Sequence, residues 1–153
     1  MLNYGKITYI DKLEAFIFMT NKTHRKIARE MAVIGIYQYL LVHNTYDDIV
    51  GFLKEDKTLY ENPESLTFSE WLVQKTLEHE KSYVQLLSNY LKKDWTFDRL
   101  SVMERAILLI ATCELLESEL PKTIVINEAV VLAKRFCDDD SYKFINGILS
   151  QII

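Results

Sequence analysis

Between Ser101 and Glu119, Val102, Ala106, Leu109, Cys113 and Leu116 recur at steps of four and three residues. That spacing lines one side of an α-helix, whereas a strand would need alternation. The rest of the chain is permissive in the same direction. Its 153 residues include only four glycines and two prolines, too little punctuation for many short strands but enough for a few long helices with short connections. The expected class is therefore all-α, as one helical bundle domain with a real core, since 49% of the residues are hydrophobic and 26% charged.

Other segments carry the same period. Thr23 to Val42 predicts a helix whose second half, "MAVIGIYQYLLV", is apolar nearly all round and belongs in the middle of a bundle. A shorter helix is expected from Tyr46 to about Lys54, then a polar loop, "KEDKTLYENPES", containing Pro63. Phe68, Trp71, Leu72 and Lys75, then Tyr83, Leu86, Leu87, Tyr90 and Leu91, indicate two packed helices before "KKDWTFD" interrupts them. Pro121 ends the 101–119 helix. The next starts between Thr123 and Asn127 and buries Val125, Ala129, Leu132, Ala133 and Phe136. Ile10, Leu13 and Ile17 allow a short amphipathic helix in the first twenty-one residues, an N-terminal extension of unassigned role ahead of a domain over 22–153.

Asn146-Gly147 would ordinarily suggest a hairpin tip. Here Phe144, Ile145, Ile148, Leu149 and Ile152 form one helical stripe around it. Gly147 is thus inside a helix, where it costs about 0.5–1 kcal/mol relative to alanine. Close approach by another backbone or by a partner would favour a missing side chain there. Asp138, Asp139 and Asp140 precede this helix, where their charge complements its positive end and Asp140 or Ser141 can cap a free N–H.

Catalytic chemistry finds little footing. There is no Gly-rich phosphate loop, GxSxG, HExxH or paired-cysteine motif, and His24, His43 and His79 are scattered. Cys113 and Cys137 are expected as free reduced thiols, with no disulfide framework and no metal site. No catalytic residue or cofactor is indicated. The apolar N-terminal segment is interrupted by Asp11 and Glu14 without a basic leader, and no apolar run reaches eighteen residues, so the expected location is the cytoplasm, away from membranes.

A charge pattern is the sharper signal. In "NKTHRKIARE", Lys22, Arg25, Lys26 and Arg29 fall at i, i+3, i+4 and i+7, one helical face, although the chain carries a net charge of −4. On a helix starting at Thr23, cations there would oppose the macrodipole. Two readings fit: a face that tracks nucleic-acid phosphates, or a solvated face paired with acids elsewhere.

"HRKIAREMAVIGIYQYLL", "WTFDRLSVMERAILLIATCELL" and "LPKTIVINEAVVLAKRFCDDDSYKFINGILSQI" closely resemble, in order and spacing, the signatures of the NusB transcription antitermination family. The resemblance spans about residues 22–153 and is strongest from Trp95 onward. It implies two packed three-helix bundles of about seven helices. It also implies a non-enzymatic, cytoplasmic factor that binds boxA RNA of ribosomal RNA leaders together with NusE, a small-subunit ribosomal protein, within an elongation complex containing other Nus factors. By motif position it assigns Arg25, Lys26 and Arg29 to the RNA-binding basic region. Tyr90, Asp140, Lys143 and Phe144 are assigned to the RNA surface, and Tyr37 and Glu104 to the NusE contact. Lys22 joins them by spacing.

Alternatives accompany these assignments. Glu104 stands three residues after Ser101, in a capping-box pattern that serves the helix itself. Tyr90, Phe144 and Tyr37 lie on apolar stripes and fit a core role. The Asn-Gly pair, as part of a family helix motif, implies tight helix packing. Two other functions are also open: an accessory module like the amino-terminal domain of ribosomal RNA cytosine methyltransferases, for which 153 residues leave no cofactor domain, and a structural homodimer that masks the basic face.

Overall fold

The computed structural model describes the backbone of residues 8–152, and their side chains except at 16 and 18–21. Residues 1–7 of the expected N-terminal extension lie outside the described residues. Among the described residues there are eight α-helices and one 3-10 turn, and no strand. In chain order they are α1 (Tyr9–Val42), α2 (Tyr46–Glu55), α3 (Lys57–Glu61), α4 (Pro63–Glu78), α5 (Glu80–Ser88), the 3-10 turn Phe97–Arg99, α6 (Val102–Glu117), α7 (Lys122–Phe136) and α8 (Ser141–Leu149).

Local chemistry sets many of the ends. Thr8 with Asp11, Thr45 with Asp48, and Ser101 with Glu104 each form a complete capping box, so α1, α2 and α6 begin where side chains satisfy otherwise free N–H groups. His43, in the left-handed region at φ 54°, ends α1. Pro63 occupies the first helical position of α4, where its missing N–H is no loss.

Packing forms two groups of three. Helices α1, α2 and α4 contact one another, as do α6, α7 and α8, and α1 and α4 both lean on α6. Residues 106 to 114 of α6 are buried without interruption, which makes α6 the central helix. The second half of α1 is only partly enclosed, and its end is open at Leu41 and Val42.

Several expectations need correction. The helix expected over 23–42 and the short amphipathic one before it are a single helix of 34 residues, because nothing between them breaks the backbone ladder and the cap at Thr8 starts it early. The expected loop over 54–65 instead holds α3 and the first turn of α4, since Asp56 caps Leu59 and Pro63 starts a helix. Leu116, on the predicted α6 stripe, is exposed near the helix end. Asp140 precedes α8 but makes no side-chain cap; its carboxylate faces Lys143 at 3.6 Å.

The glycines also divide. A Cβ built on Gly35 would lie 2.7 Å from Ile49 Cγ2, so α1 and α2 approach closely only because that position is bare. At Gly147 a Cβ would meet nothing within 4 Å, so the expected tight packing is absent there. Ser69 on α4 donates a 2.8 Å hydrogen bond to the Ala28 carbonyl on α1, marking a second close approach. Gly35→Ala should therefore destabilise the fold by about 1–3 kcal/mol by overpacking Ile49. Urea denaturation checks this, and an unchanged midpoint would show that Ile49 has room to move.

Candidate nucleic-acid interface

The basic segment of α1 splits into an inner and an outer part. Arg29 is only 6% exposed. Its Nε donates a 2.7 Å hydrogen bond to Glu114 Oε2 on α6, and Nη2 donates to the other carboxylate oxygen, a two-pronged pairing. Glu114 is fully buried. Glu128 of α7 stands 3.8 Å from Arg29 Nη1 and 3.8 Å from Lys26 Nζ. Two cations and two carboxylates therefore form one cluster joining α1, α6 and α7. The four cations share one helical face as the spacing predicts, but Arg29 on that face is buried against acids from distant elements, because an unpaired Arg there would leave Glu114 as an isolated buried charge.

Lys22, Arg25 and Lys26 remain exposed. Lys22 makes no ion pair with any described residue, and the Arg25 guanidinium carbon lies 4.3 Å over the Phe68 ring centroid, a cation–π contact. With Arg29, Leu120, Ile124 and Glu128 they line a groove of about 520 Å³ between α1 and the start of α7. Because α1 begins at Tyr9, these cations lie more than a dozen residues inside the helix. The macrodipole, which acts over the first turn, therefore does not oppose them.

A second groove, of about 380 Å³, gathers residues from distant motifs: Leu91, Lys92, Trp95, Arg99, Glu104 and Phe144 among them. Glu104 and Phe144, assigned to different partners by motif position, are brought together here. Glu104 also accepts a hydrogen bond from the Ser101 N–H, so the cap and the groove wall are the same side chain. Trp95 is 45% exposed and carries the Arg99 guanidinium 4.3 Å from its ring centroid. Neither was singled out from sequence, although an aromatic and a cation four residues apart in a short polar break was the available signal. Tyr90 is half-buried beside this region, and Tyr37 is half-buried on α1, two turns beyond Arg29.

A third groove, of about 460 Å³, runs between α7 and α8 and is lined by Thr123, Asn127, Val130, Tyr142, Lys143 and Asn146, with Ile126 and Ser150. Lys143 is exposed there, with the more exposed Asp140 as its ion-pair partner among the described residues. The two thiols stay apart and free. Burial, with Glu104 and Asp138 nearby, pushes the Cys137 thiol up to about 11, and burial raises Cys113 to about 11, so neither supplies a thiolate nucleophile at neutral pH. No cluster among the described residues could hold a metal ion. None of the described helices is long and apolar enough to cross a membrane.

Two helical trios clamped by a buried ion cluster, with cations and aromatics beside open grooves, define a helical binding protein. The chain belongs to the NusB family, whose model matches residues 26–153. It is 42% identical over 131 residues to the transcription antitermination protein NusB of Staphylococcus aureus, covering 84% of this chain and 97% of that protein. Among solved structures, T. maritima NusB matches with a TM-score of 0.75 at 32% identity, over 84% of this chain and 89% of that one. A chain from a crystal structure of antitermination factors NusB and NusE in complex with dsRNA matches at TM-score 0.70 and 26% identity, over 84% and 94%. The relatives it matches are named as antitermination factors, not as enzymes.

The ion cluster yields a direct expectation. Arg29→Met should destabilise the fold by about 3–5 kcal/mol by stranding Glu114, whereas Lys26→Met, on a half-exposed side chain, should cost less than about 1 kcal/mol. Denaturant melts of the two variants separate them, and equal losses would contradict the division into inner and outer cations.

Proposed function

We propose that this protein is an RNA-binding transcription antitermination factor of the cytoplasm, engaging boxA RNA of ribosomal RNA leaders together with NusE in an elongation complex with other Nus factors. The observation that carries the reading is membership of the NusB family over residues 26–153 combined with three exposed cations, Lys22, Arg25 and Lys26, beside a groove. The structural relative solved with NusE and dsRNA supports both partners. In this reading residues 22–153 form the binding domain, and the first turns of α1 extend it.

The roles are assigned by motif position within the family, and the exposure of the cations supports them. Lys22, Arg25 and Lys26 contact phosphates, which supplies affinity without sequence information. Arg29 acts through them as a positioning residue. Lys143, Phe144 and Tyr90 supply a second RNA-facing region on α8 and the turn after α5, with Asp140 at its edge. Glu104 and Tyr37 face NusE. Few stacking residues and one short basic face imply weak binding alone and tighter, sequence-selective binding with NusE.

The test is titration of a boxA oligonucleotide and a scrambled control, each with and without NusE from the same organism. Selectivity for boxA in the presence of NusE is expected. Equal affinity for both RNAs in that condition would overturn the reading. Replacing Lys22 and Arg25 with glutamine should flatten the slope of log affinity against log salt by about 0.7 per lost contact, with the fold intact because Arg29 is untouched. A parental slope in a folded double variant would assign the phosphates to another surface.

A further inference from the structure

Gly147 occupies the middle of α8, yet nothing within the protein requires a bare position there, in contrast to Gly35. Along α8 and its C-cap, Lys143, Asn146, Gly147 and Ser150 fall at i, i+3, i+4 and i+7 and are all exposed. Lys143, Asn146 and Ser150 of this stripe line the groove between α7 and α8, and Gly147 lies on the same helical face beside them. Across the groove stands Asn127. The amides of Asn127 and Asn146 have no partner among the described residues, so each presents a free donor and a free acceptor.

The charge of the groove is selective. No carboxylate lines it, although the chain as a whole is acidic. The Lys134 ammonium lies 4.7 Å from the Tyr142 ring centroid and that of Lys143 5.9 Å from it. Lys122 donates to the Ser150 carbonyl at the other end. Asp140, which is not part of the lining, pairs with Lys143 at 3.6 Å, but both are exposed, and a phosphate can compete for that cation.

We propose that this groove seats an unpaired RNA base, its edge read by Asn127 and Asn146, and that Gly147 is bare so that the strand can lie against α8. The inference rests on the RNA reading above and deepens it. Amides that offer both donor and acceptor suit a base edge, and lysines around an aromatic ring suit the adjoining backbone. An unpaired base is specified because the Watson–Crick edge must be free to meet the amides.

Gly51 provides an internal control. It too is a helical glycine with open space at its Cβ, but its neighbours along α2 are Asp47, Asp48, Lys54 and Glu55, a solvated charged face. Gly51→Ala and Gly147→Ala should both raise the melting temperature, by roughly 1–4 °C, because alanine favours the helix. Only the change at 147 should weaken RNA binding.

The experiment measures affinity for a labelled single-stranded boxA oligonucleotide in the presence of NusE, and affinity for NusE without RNA. The proteins are the parent chain, Gly51→Ala, Gly147→Ala, Gly147→Gln and the double variant Asn127→Ala/Asn146→Ala. Losses of about tenfold, the scale of one lost base contact, are expected for Gly147→Gln and the double variant. A smaller loss is expected for Gly147→Ala, with none for Gly51→Ala and with NusE affinity unchanged throughout. Parental RNA affinity in Gly147→Gln, or in the double variant, would overturn the proposal while leaving the RNA reading standing. So would a lowered melting temperature of Gly147→Ala. Loss of NusE affinity without RNA would assign the groove to the protein partner instead. A parent chain that binds no RNA would remove the RNA reading itself and this seat with it.

Discussion

The pairing of Arg29 with Glu114 fixes the relation between the two helical trios. A fully buried carboxylate is tolerable only with a well-oriented cation, and the planar guanidinium meets it through two donors at once. Glu128 brings α7 into the same arrangement. One side chain on α1 thus sets its rotation and height against both α6 and α7. Lysine could not substitute, because a single ammonium cannot span both carboxylate oxygens in a fixed plane.

That rotation decides what the surface offers. With Arg29 turned inward, residues one turn and two turns earlier on α1 project beside Leu120 and Ile124, forming a positively charged wall to a groove. Phe68 of α4 meets Arg25 in a cation–π contact. In the proposed reading, affinity for phosphates and stability of the fold are carried by neighbouring cations of one motif. The division follows from which carboxylates are buried beneath each of them.

Much of the fold was legible because it depends on local periodicity. The helical stripes of α7 and α8, and the Ser-x-x-Glu cap of α6, read correctly from residues alone. What failed depended on context. Polar composition at 54–65 suggested a loop, but capping by Asp56 and the position of Pro63 make helices from such residues. The central place of α6 was understated, because one stripe was visible in sequence while all sides of residues 106–114 are covered by other helices.

The basic motif shows the same limit more sharply. Spacing places Lys22, Arg25, Lys26 and Arg29 on one side of a helix, but which cation turns inward depends on Glu114 and Glu128, about a hundred residues later. No local pattern carries that. Trp95 and Arg99 escaped notice for a related reason, since their groove is assembled with Glu104 and Phe144 from other elements. The family resemblance named Glu104 and Phe144 without showing that they are neighbours.

The central claim is that one basic motif is divided between the fold and the ligand. Nitrogen-resolved NMR of the protein titrated with single-stranded boxA RNA and NusE reads it directly, because each arginine Nε–H is observed separately. The account predicts shifts at the Arg25 Nε–H and at the amides of Lys22, Lys26 and the exposed face of α8, with the Arg29 Nε–H unmoved and protected by Glu114. A large RNA-dependent shift at Arg29, with Lys22 and Arg25 unaffected, would contradict it.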